Sequence, residues 1–445
     1  MYHDCPNEGN LSSSYASFAI PERLLQFIWQ FQYFNSSELS TTGGDRLQII
    51  YQGQINTNQG PDFLDAKVRI GNTMWAGTIE VHVKSSGWKK HNHHQDDNYN
   101  SVILHVVWDD DEENENSMPV LELKERVPKI LLQRYANLMK AETFIPCAAN
   151  ITVVPDLVWK SWEARLVAER LLRKTNTVQT YLQEANHHWE QAFWWLIARN
   201  FGMKVNADLF EKMARSVSLN ILARHKNQIH QLEALLFGQL NLLDREFKDD
   251  YPKMLQKEYQ FYKKKYGLTP VPLTPFFLRM RPVNFPTVRL AQLAMLIHES
   301  SHLFSKIRDA ESVIELKKWF DIEANDYWHY HFRFDELSSF RIKRPGQDSI
   351  SNIIINTIIP MLFAYGSYHD EAGHKEKAFH WLEQLAGENN NIIKQFWKLK
   401  IESRTAFDSQ ALIELKTEYC DRKRCLDCAV GNVILKGRSQ VGNFK

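Results

Sequence analysis

Residues Pro61 to Lys84 read PDFLDAKVRIGNTMWAGTIEVHVK, and their alternation decides the fold of the first part of the chain. Phe63–Ile70 and Met74–Lys84 are β-like runs, and Gly71-Asn72 between them suits a tight hairpin turn. On the second run Glu80, His82 and Lys84 occupy alternate positions. Side chains two apart on a strand share one face. These three therefore project together, and Ile79, Val81 and Val83 turn to the opposite, apolar face. Asp62 follows Pro61 at the mouth of the first run. An acid from one strand, with an acid, an imidazole and an ammonium from its neighbour, can hold a divalent cation and activate water. A strand whose polar face meets solvent gives the same alternation, but gives no reason for Pro61-Asp62 upstream.

The pattern resembles the PD-(D/E)XK nuclease superfamily. There a helix–three-strand–helix–strand core sets an aspartate on one strand, and an acid and a lysine on the next. The resemblance implies that Asp62 stands at the aspartate position and Glu80 at that of the second acid. The lysine position, two after the acid, holds His82 here, and Lys84 comes two later. Lys84 then serves from the next place on the same face, or His82 replaces it, or the site is inactive.

Working outward, Pro21–Phe34 has helical spacing, with Leu24, Leu25, Phe27, Ile28 and Phe31 on its apolar side. Glu22 near its start suits the helix dipole; in the resembling superfamily a first-helix glutamate sometimes assists the metal. Leu47–Ile55, Val102–Trp108 and Pro119–Leu123 read as further strands, Asp109–Glu115 as a solvated acidic loop, and Pro128–Lys140 as a helix. Past Pro155 the apolar spacing is helical over Leu157–Lys174, Trp189–Asn200, Ala207–Ala214, Gln228–Leu243, Val288–Ile307, Ile350–Met361 and Lys375–Leu385, with a Pro-rich connector at Thr269–Pro286. The expected architecture is an α+β domain over residues 1–144, of the restriction-endonuclease-like type with a mixed sheet and flanking helices. A mostly α-helical domain follows over 145–445, closed by a cysteine metal clip.

The segments GPDF (Gly60–Phe63), IEVHVKSSGW (Ile79–Trp88), LHVVWD (Leu104–Asp109), RPVNFP (Arg281–Pro286) and YCDRKRCLDCAVG (Tyr419–Gly431) look like those of an uncharacterised bacterial domain-of-unknown-function family. That resemblance spans almost the whole chain. It implies a layout and no established activity.

Composition bounds the function. The chain has 445 residues, 44% hydrophobic and 24% charged, enough for two or three domains with sizeable cores. A net charge of +1 excludes a general polyanion-binding surface and permits a local one. The start, Met-Tyr-His-Asp-Cys, lacks the basic and apolar regions of a signal peptide. No run of bilayer-spanning length is read, because Asn356 and Pro360 interrupt Ile353–Tyr365. These features predict a soluble, cytoplasmic protein with no membrane association.

Four more constellations carry chemistry. The loop residues His91, His93, His94 and Asp97 follow the Glu80 strand, and His105 lies on the next one. They offer extra ligands or phosphate contacts, with Lys89 and Lys90 suited to a phosphate backbone. Of five cysteines, Cys5, Cys147, Cys420, Cys425 and Cys428, the last three follow C-x4-C-x2-C. The C-x2-C half is metal-clip spacing, and Cys147 is the expected fourth ligand of a zinc ion or an iron–sulfur cluster. This set also resembles a nuclease subset in which one upstream and three C-terminal cysteines hold a 4Fe–4S cluster, although the downstream spacing differs. His298-Glu299-Ser300-Ser301-His302 is a literal H-E-x-x-H, the spacing by which a helix grips zinc, with Glu299 as base and Glu323 as a third ligand. Arg281, Asn284 and Arg289 precede or open a helix at Pro286-Thr287, where arginines bind phosphate or, the favoured reading, pair with helix-end carboxylates. No P-loop, GxGxxG or GxSxG occurs.

The expected function is Mg²⁺- or Mn²⁺-dependent cleavage of nucleic-acid phosphodiesters, or nucleic-acid binding by a degenerate relative. Asp62 and Glu80 would be metal ligands, Lys84 the water-orienting group and His82 a ligand or base. The rivals are a zinc metallopeptidase at His298, Glu299 and His302, and a non-catalytic scaffold or binding protein with a structural metal.

Overall fold

The structure, a computed structural model, describes residues 19–112, 118–278 and 280–437. Cys5 and residues 113–115 of the acidic run lie outside the described residues. The chain forms two compact units, Met1–Trp162 with Lys416–Lys445, and Glu163–Leu415.

The first unit is built on a mixed sheet. Helix α1 (Glu22–Gln30) buries Leu24, Leu25, Phe27, Ile28 and Trp29; Phe31, expected on that side, is 40% exposed, because the helix ends at Gln30. Strands β1 (Leu47–Tyr51), β2 (Gln54–Ile55), β3 (Phe63–Ile70), β4 (Thr73–Lys84), β5 (Val102–Asp109) and β6 (Val120–Glu122) follow. The sheet order is β1-β3-β4-β5-β6, with β2 also on β3. β1, β3 and β4 form an antiparallel meander, and β5 and β6 add in parallel. The single strand expected at Leu47–Ile55 is broken into two at Gly53, whose φ of +91° suits glycine. A Cβ there would lie 2.8 Å from the Leu64 carbonyl oxygen.

One irregularity sets the site. Ile70 pairs with Thr73 and Ala66 with Gly77, but Phe63 pairs with Ile79. Leu64 and Asp65 thus oppose Thr78 alone, a β-bulge with Asp65 in the left-handed region at φ +60°. Continued without the bulge, the register would set Asp62 opposite Val81, on the apolar face. With it, Asp62 stands opposite Glu80 on the polar face.

Helix α2 (Lys129–Lys140) buries Leu131, Tyr135 and Leu138. The boundary between the units falls within α3 (Asp156–Glu184). The C-terminal segment, expected in the helical domain, belongs to the sheet unit, as does Cys147. Specific bonds hold it there. Arg23 pairs with Asp427 at 2.6 Å, Tyr33 donates to Asn432 at 2.6 Å, and Arg134 donates to the Leu435 carbonyl at 3.2 Å.

The second unit is mostly helical, with a small hairpin at His331–Leu337 that the apolar spacing did not reveal. The helix Asp250–Tyr266 was missed because its face alternates aromatic and charged residues rather than aliphatic ones. Asn356 and Pro360, read as interrupting the apolar run, lie within one continuous helix. A π-helical segment, Ile354–Ile358, carries the helix from Gln347 to Tyr368, widening the turn ahead of a proline that lacks an N–H. By length and composition alone this helix is apolar enough to cross a membrane, and 72% of its apolar window is buried within the fold. A core helix of a globular unit has the same character.

Candidate active site

The antiparallel register brings the two acids face to face, and each accepts from the other's strand. The Asp62 N–H donates to Glu80 Oε2 at 3.1 Å, and the Val81 N–H donates to Asp62 Oδ2 at 3.1 Å. Gln26 of α1 donates to Asp62 Oδ1 at 2.9 Å. Glu22, one helical turn before Gln26, adds its charge to both acids. Burial first, then repulsion among these carboxylates, holds Asp62 up at about 6 and Glu80 at about 8. Glu22 is therefore more than a partner for the helix dipole.

Imidazoles close the other side. His82 Nε2 lies 3.5 Å from Glu80 Oε1, and His93 Nε2 lies 3.4 Å from the same oxygen. His82 Nδ1 and His105 Nε2 are 2.9 Å apart, so one of them donates to the other. Burial first, then the neighbouring rings, pushes His82 down to about 3; burial also pushes His105 down to about 4. Both are neutral ligand-type imidazoles at neutral pH. One nitrogen from each of His82, His91 and His93 gathers within 4.8 Å of the others. Tyr99 stacks on His93 at 3.8 Å between centroids, and burial followed by the carboxylates holds its hydroxyl up at about 12. Gly87 makes the fit possible: a Cβ there would stand 3.0 Å from the His82 ring.

Lys84 is elsewhere. Four residues beyond Glu80 on an extended strand is about 13 Å, and its ammonium meets Asp111 Oδ2 at 3.0 Å. Lys89 pairs with Glu112 at 3.2 Å. His94 and Asp97 are exposed. Sequence reasoning overlooked Gln26 and Tyr99. Gln26 had a signal, lying four residues after Glu22 on one helix face; Tyr99 had none, since only the folded loop turns it inward.

A family model described as a protein of unknown function, DUF2851, matches residues 22–391. The chain belongs to that family. Its matched span includes α1, the whole sheet and every residue of the site above, and stops before Cys420. No curated protein and no solved structure matches the chain.

Cys147, Cys420, Cys425 and Cys428 all belong to the sheet unit and are coupled electrostatically. Cys147, Cys425 and Cys428 are buried, Cys420 is half-buried, and none of these four forms a disulfide. Each thiol is pushed up by burial, and those of Cys147, Cys420 and Cys425 further by neighbouring cysteines of the same group. Cys428 caps helix α4 (Ala429–Lys436), where the N–H groups of Val430 and Gly431 face its sulfur. A Cβ at Gly431 would lie 2.1 Å from the Cys425 carbonyl oxygen, so only glycine lets the helix press on this turn.

The H-E-x-x-H reading meets a different outcome. The helix Pro286–Glu299 ends within the motif, Ser300 is extended, and His302 sits at φ +50° as the cap of Leu303–Asp309. The spacing of four thus no longer aligns two imidazoles on one face. His298 Nδ1 bonds the Lys226 carbonyl at 2.6 Å, and Glu323 is taken by Arg344 at 2.6 Å and His329 at 3.3 Å. A zinc grip has no geometric basis here. Arg289 also departs from its expected pairing: its partners are Asn284, Gln292 and Ser349, not helix-end carboxylates.

Proposed function

We propose that the protein is a divalent-metal-dependent phosphodiesterase acting on nucleic acid, with Asp62 and Glu80 as the central ligands. The observation that carries this is the apposition of two buried carboxylates, with Glu22 behind them and neutral imidazoles in front. Such a set is under-charged until a cation arrives. The residues fit one: His93 Nε2 is buried with no hydrogen-bond partner among the described residues, and it stands beside a Glu80 oxygen. The mix of hard oxygens and imidazole nitrogens suits Mn²⁺ over Mg²⁺. A bound cation supplies Lewis acidity toward a phosphoryl oxygen and lowers the pKa of its water. Within the chain, Gln26 and the Val81 N–H orient Asp62, and His105 fixes the His82 ring and its tautomer. An α-helix, an antiparallel meander and a parallel strand support the likeness to the PD-(D/E)XK core, with short turns where that core has its second helix.

The test is incubation of the purified full chain with labelled single- and double-stranded DNA and RNA, in Mg²⁺, Mn²⁺ or EDTA. Cleavage in metal and none in EDTA is the expected result. Absence of cleavage of all four substrates removes the catalytic reading and leaves a non-catalytic binding protein. Lys84→Ala is expected to retain activity within a few-fold, since its partner is Asp111; a loss as large as that of Glu80→Gln would return Lys84 to the site.

The pH dependence has a definite sign. With Glu80 held at about 8 against an ordinary 4.5, the metal-free folded protein keeps a proton that the unfolded chain has released. Metal-free stability therefore falls as pH rises through that window. Metal displaces the proton, so the gain in Tm on adding Mn²⁺ is expected to be larger near pH 8 than near pH 6. Thermal melts with and without Mn²⁺ at the two pH values check this; an equal gain at both contradicts it.

We further propose that Cys147, Cys420, Cys425 and Cys428 hold a structural metal, as zinc or an iron–sulfur cluster. Four clustered thiols with raised pKa values become thiolates readily only when a cation compensates them.

A further inference from the structure

The helical unit contains a cavity of about 1060 Å³. Lys174, Arg199, Lys204, Arg281, Arg289 and Arg344 line it, against one acid among the described residues, Asp348. Two of these cations are already neutralised: Arg199 by Asp208 at 2.5 Å and Glu211 at 2.7 Å, and Arg344 by Glu323 at 2.6 Å. Arg289 is not. It is only 4% exposed, yet its guanidinium meets neutral groups alone, donating to Asn284 Oδ1 at 2.6 Å, Ser349 Oγ at 2.9 Å and Gln292 Oε1 at 3.3 Å. Its Nε is buried with no acceptor among the described residues. The Lys174 ammonium likewise rests on a neutral oxygen, Asn356 Oδ1, at 2.8 Å.

Burying a cation without an anion is costly. Burial pushes Arg289 down to about 10, the expected response to a missing counter-charge. Burial first, then the neighbouring Arg170, lowers Lys174 as well, against the opposing pull of Glu388 and Glu414. Arg281 and Lys204, both exposed, add charge to the same lining. The helix Pro286–Glu299 starts between Asn284 and Arg289, adding the positive end of its dipole. The rest of the lining includes Val178, Leu196, Phe201, Val283 and Ile353, an apolar bed for the body of a ligand.

We propose that this cavity binds a small phosphorylated ligand, its phosphate groups held by Arg289, Lys174 and Arg281 and its body against the apolar residues. Phosphate is favoured over carboxylate because several cations converge here around a buried guanidinium with no paired acid, and a phosphate offers more charge and more acceptor oxygens to guanidinium forks. A small ligand is favoured over a nucleic-acid strand because the cations gather in one cavity of ligand size rather than tracking along a groove. The inference does not depend on the proposed chemistry at Asp62 and Glu80.

The experiment is calorimetric titration of the full-length protein with pyrophosphate and with ADP, and with adenosine as control. All titrations use EDTA and the Glu80→Gln background, so that metal-borne binding at the sheet unit does not contribute. Pyrophosphate and ADP are expected to bind, and adenosine far more weakly. Arg281→Ala and Lys204→Ala, both at exposed positions, are expected to weaken binding by about tenfold each with unchanged Tm. Arg289→Met is expected to abolish it, and the two exposed variants keep the test valid if that variant does not fold. No binding of pyrophosphate or ADP at millimolar concentration overturns the proposal. So does binding that neither exposed variant weakens, or adenosine binding equal to that of ADP.

Discussion

Glu80→Gln is expected to lower metal-dependent phosphodiester cleavage by at least about 100-fold and to leave the fold intact. Glutamine keeps the shape of the side chain and its acceptor oxygen for the Asp62 N–H. It resembles the protonated form that Glu80, held up at about 8, already favours at neutral pH without metal. Metal-free stability is therefore expected to hold or rise, as it does where function keeps like charges together. What disappears is the charge that completes a cation site. Asp62→Asn is expected to act likewise, since Asp62 shares the same pocket and a bond to Val81. Two readouts are needed: cleavage of the nucleic acid, and the Mn²⁺-induced rise in Tm. If both variants keep full activity, the mechanism fails; if they lose the Mn²⁺ effect in a protein that never cleaves, the site is a metal site without this chemistry.

Much of this site was legible because β-structure has a period of two. Pro61-Asp62, the Gly71-Asn72 turn and the alternation of Glu80, His82 and Lys84 located the strands, and the helix at Pro21 followed from its apolar spacing. Asp62 and Glu80 were expected to share a site, but the register that sets them opposite each other was not legible, because it depends on a one-residue bulge at Leu64-Asp65 that no residue type announces. Aspartate adopts the left-handed region unusually well for a residue with a Cβ, as Asp65 does here, but the residue type alone does not require it. Lys84 shows the opposite limit. A shared face fixes direction and not reach, and Asp111, just past the end of the neighbouring strand β5, takes its charge. The H-E-x-x-H string was misleading for a similar reason: spacing implies one helix face only if the helix continues, and here it ends at Glu299. The cysteine spacing suggested a clip, but not that the chain end returns to the sheet unit, which depends on long-range partners such as Arg23 and Asp427.

That return gives the cysteines their expected consequence. Cys428→Ser is expected to abolish stoichiometric metal at the four-cysteine centre and to lower the Tm of the sheet unit by on the order of 10 °C. Cys428 matters most because its sulfur faces the free N–H groups at the start of α4, and that helix carries Asn432 and Leu435, the partners of Tyr33 and Arg134. Releasing it frees the bonds to Tyr33 and to α2 as well as the proposed metal. Cys147→Ser is expected to have a similar effect from far upstream in the sequence, a coupling that four independent thiols would not produce. Metal analysis, visible absorbance and acid-labile sulfide separate zinc from an iron–sulfur cluster. Either content supports the centre, whereas a metal-free protein with all four thiols reduced, or with a disulfide among them, rejects it. The two proposed metal sites of the unit are also separable by chemistry. Brief EDTA treatment is expected to remove the cation from Asp62 and Glu80, whose ligands are oxygen and imidazole, and to leave the thiolate centre in place. Loss of cleavage without loss of Tm on such treatment, reversed by Mn²⁺, would place catalysis at the carboxylates and stability at the cysteines.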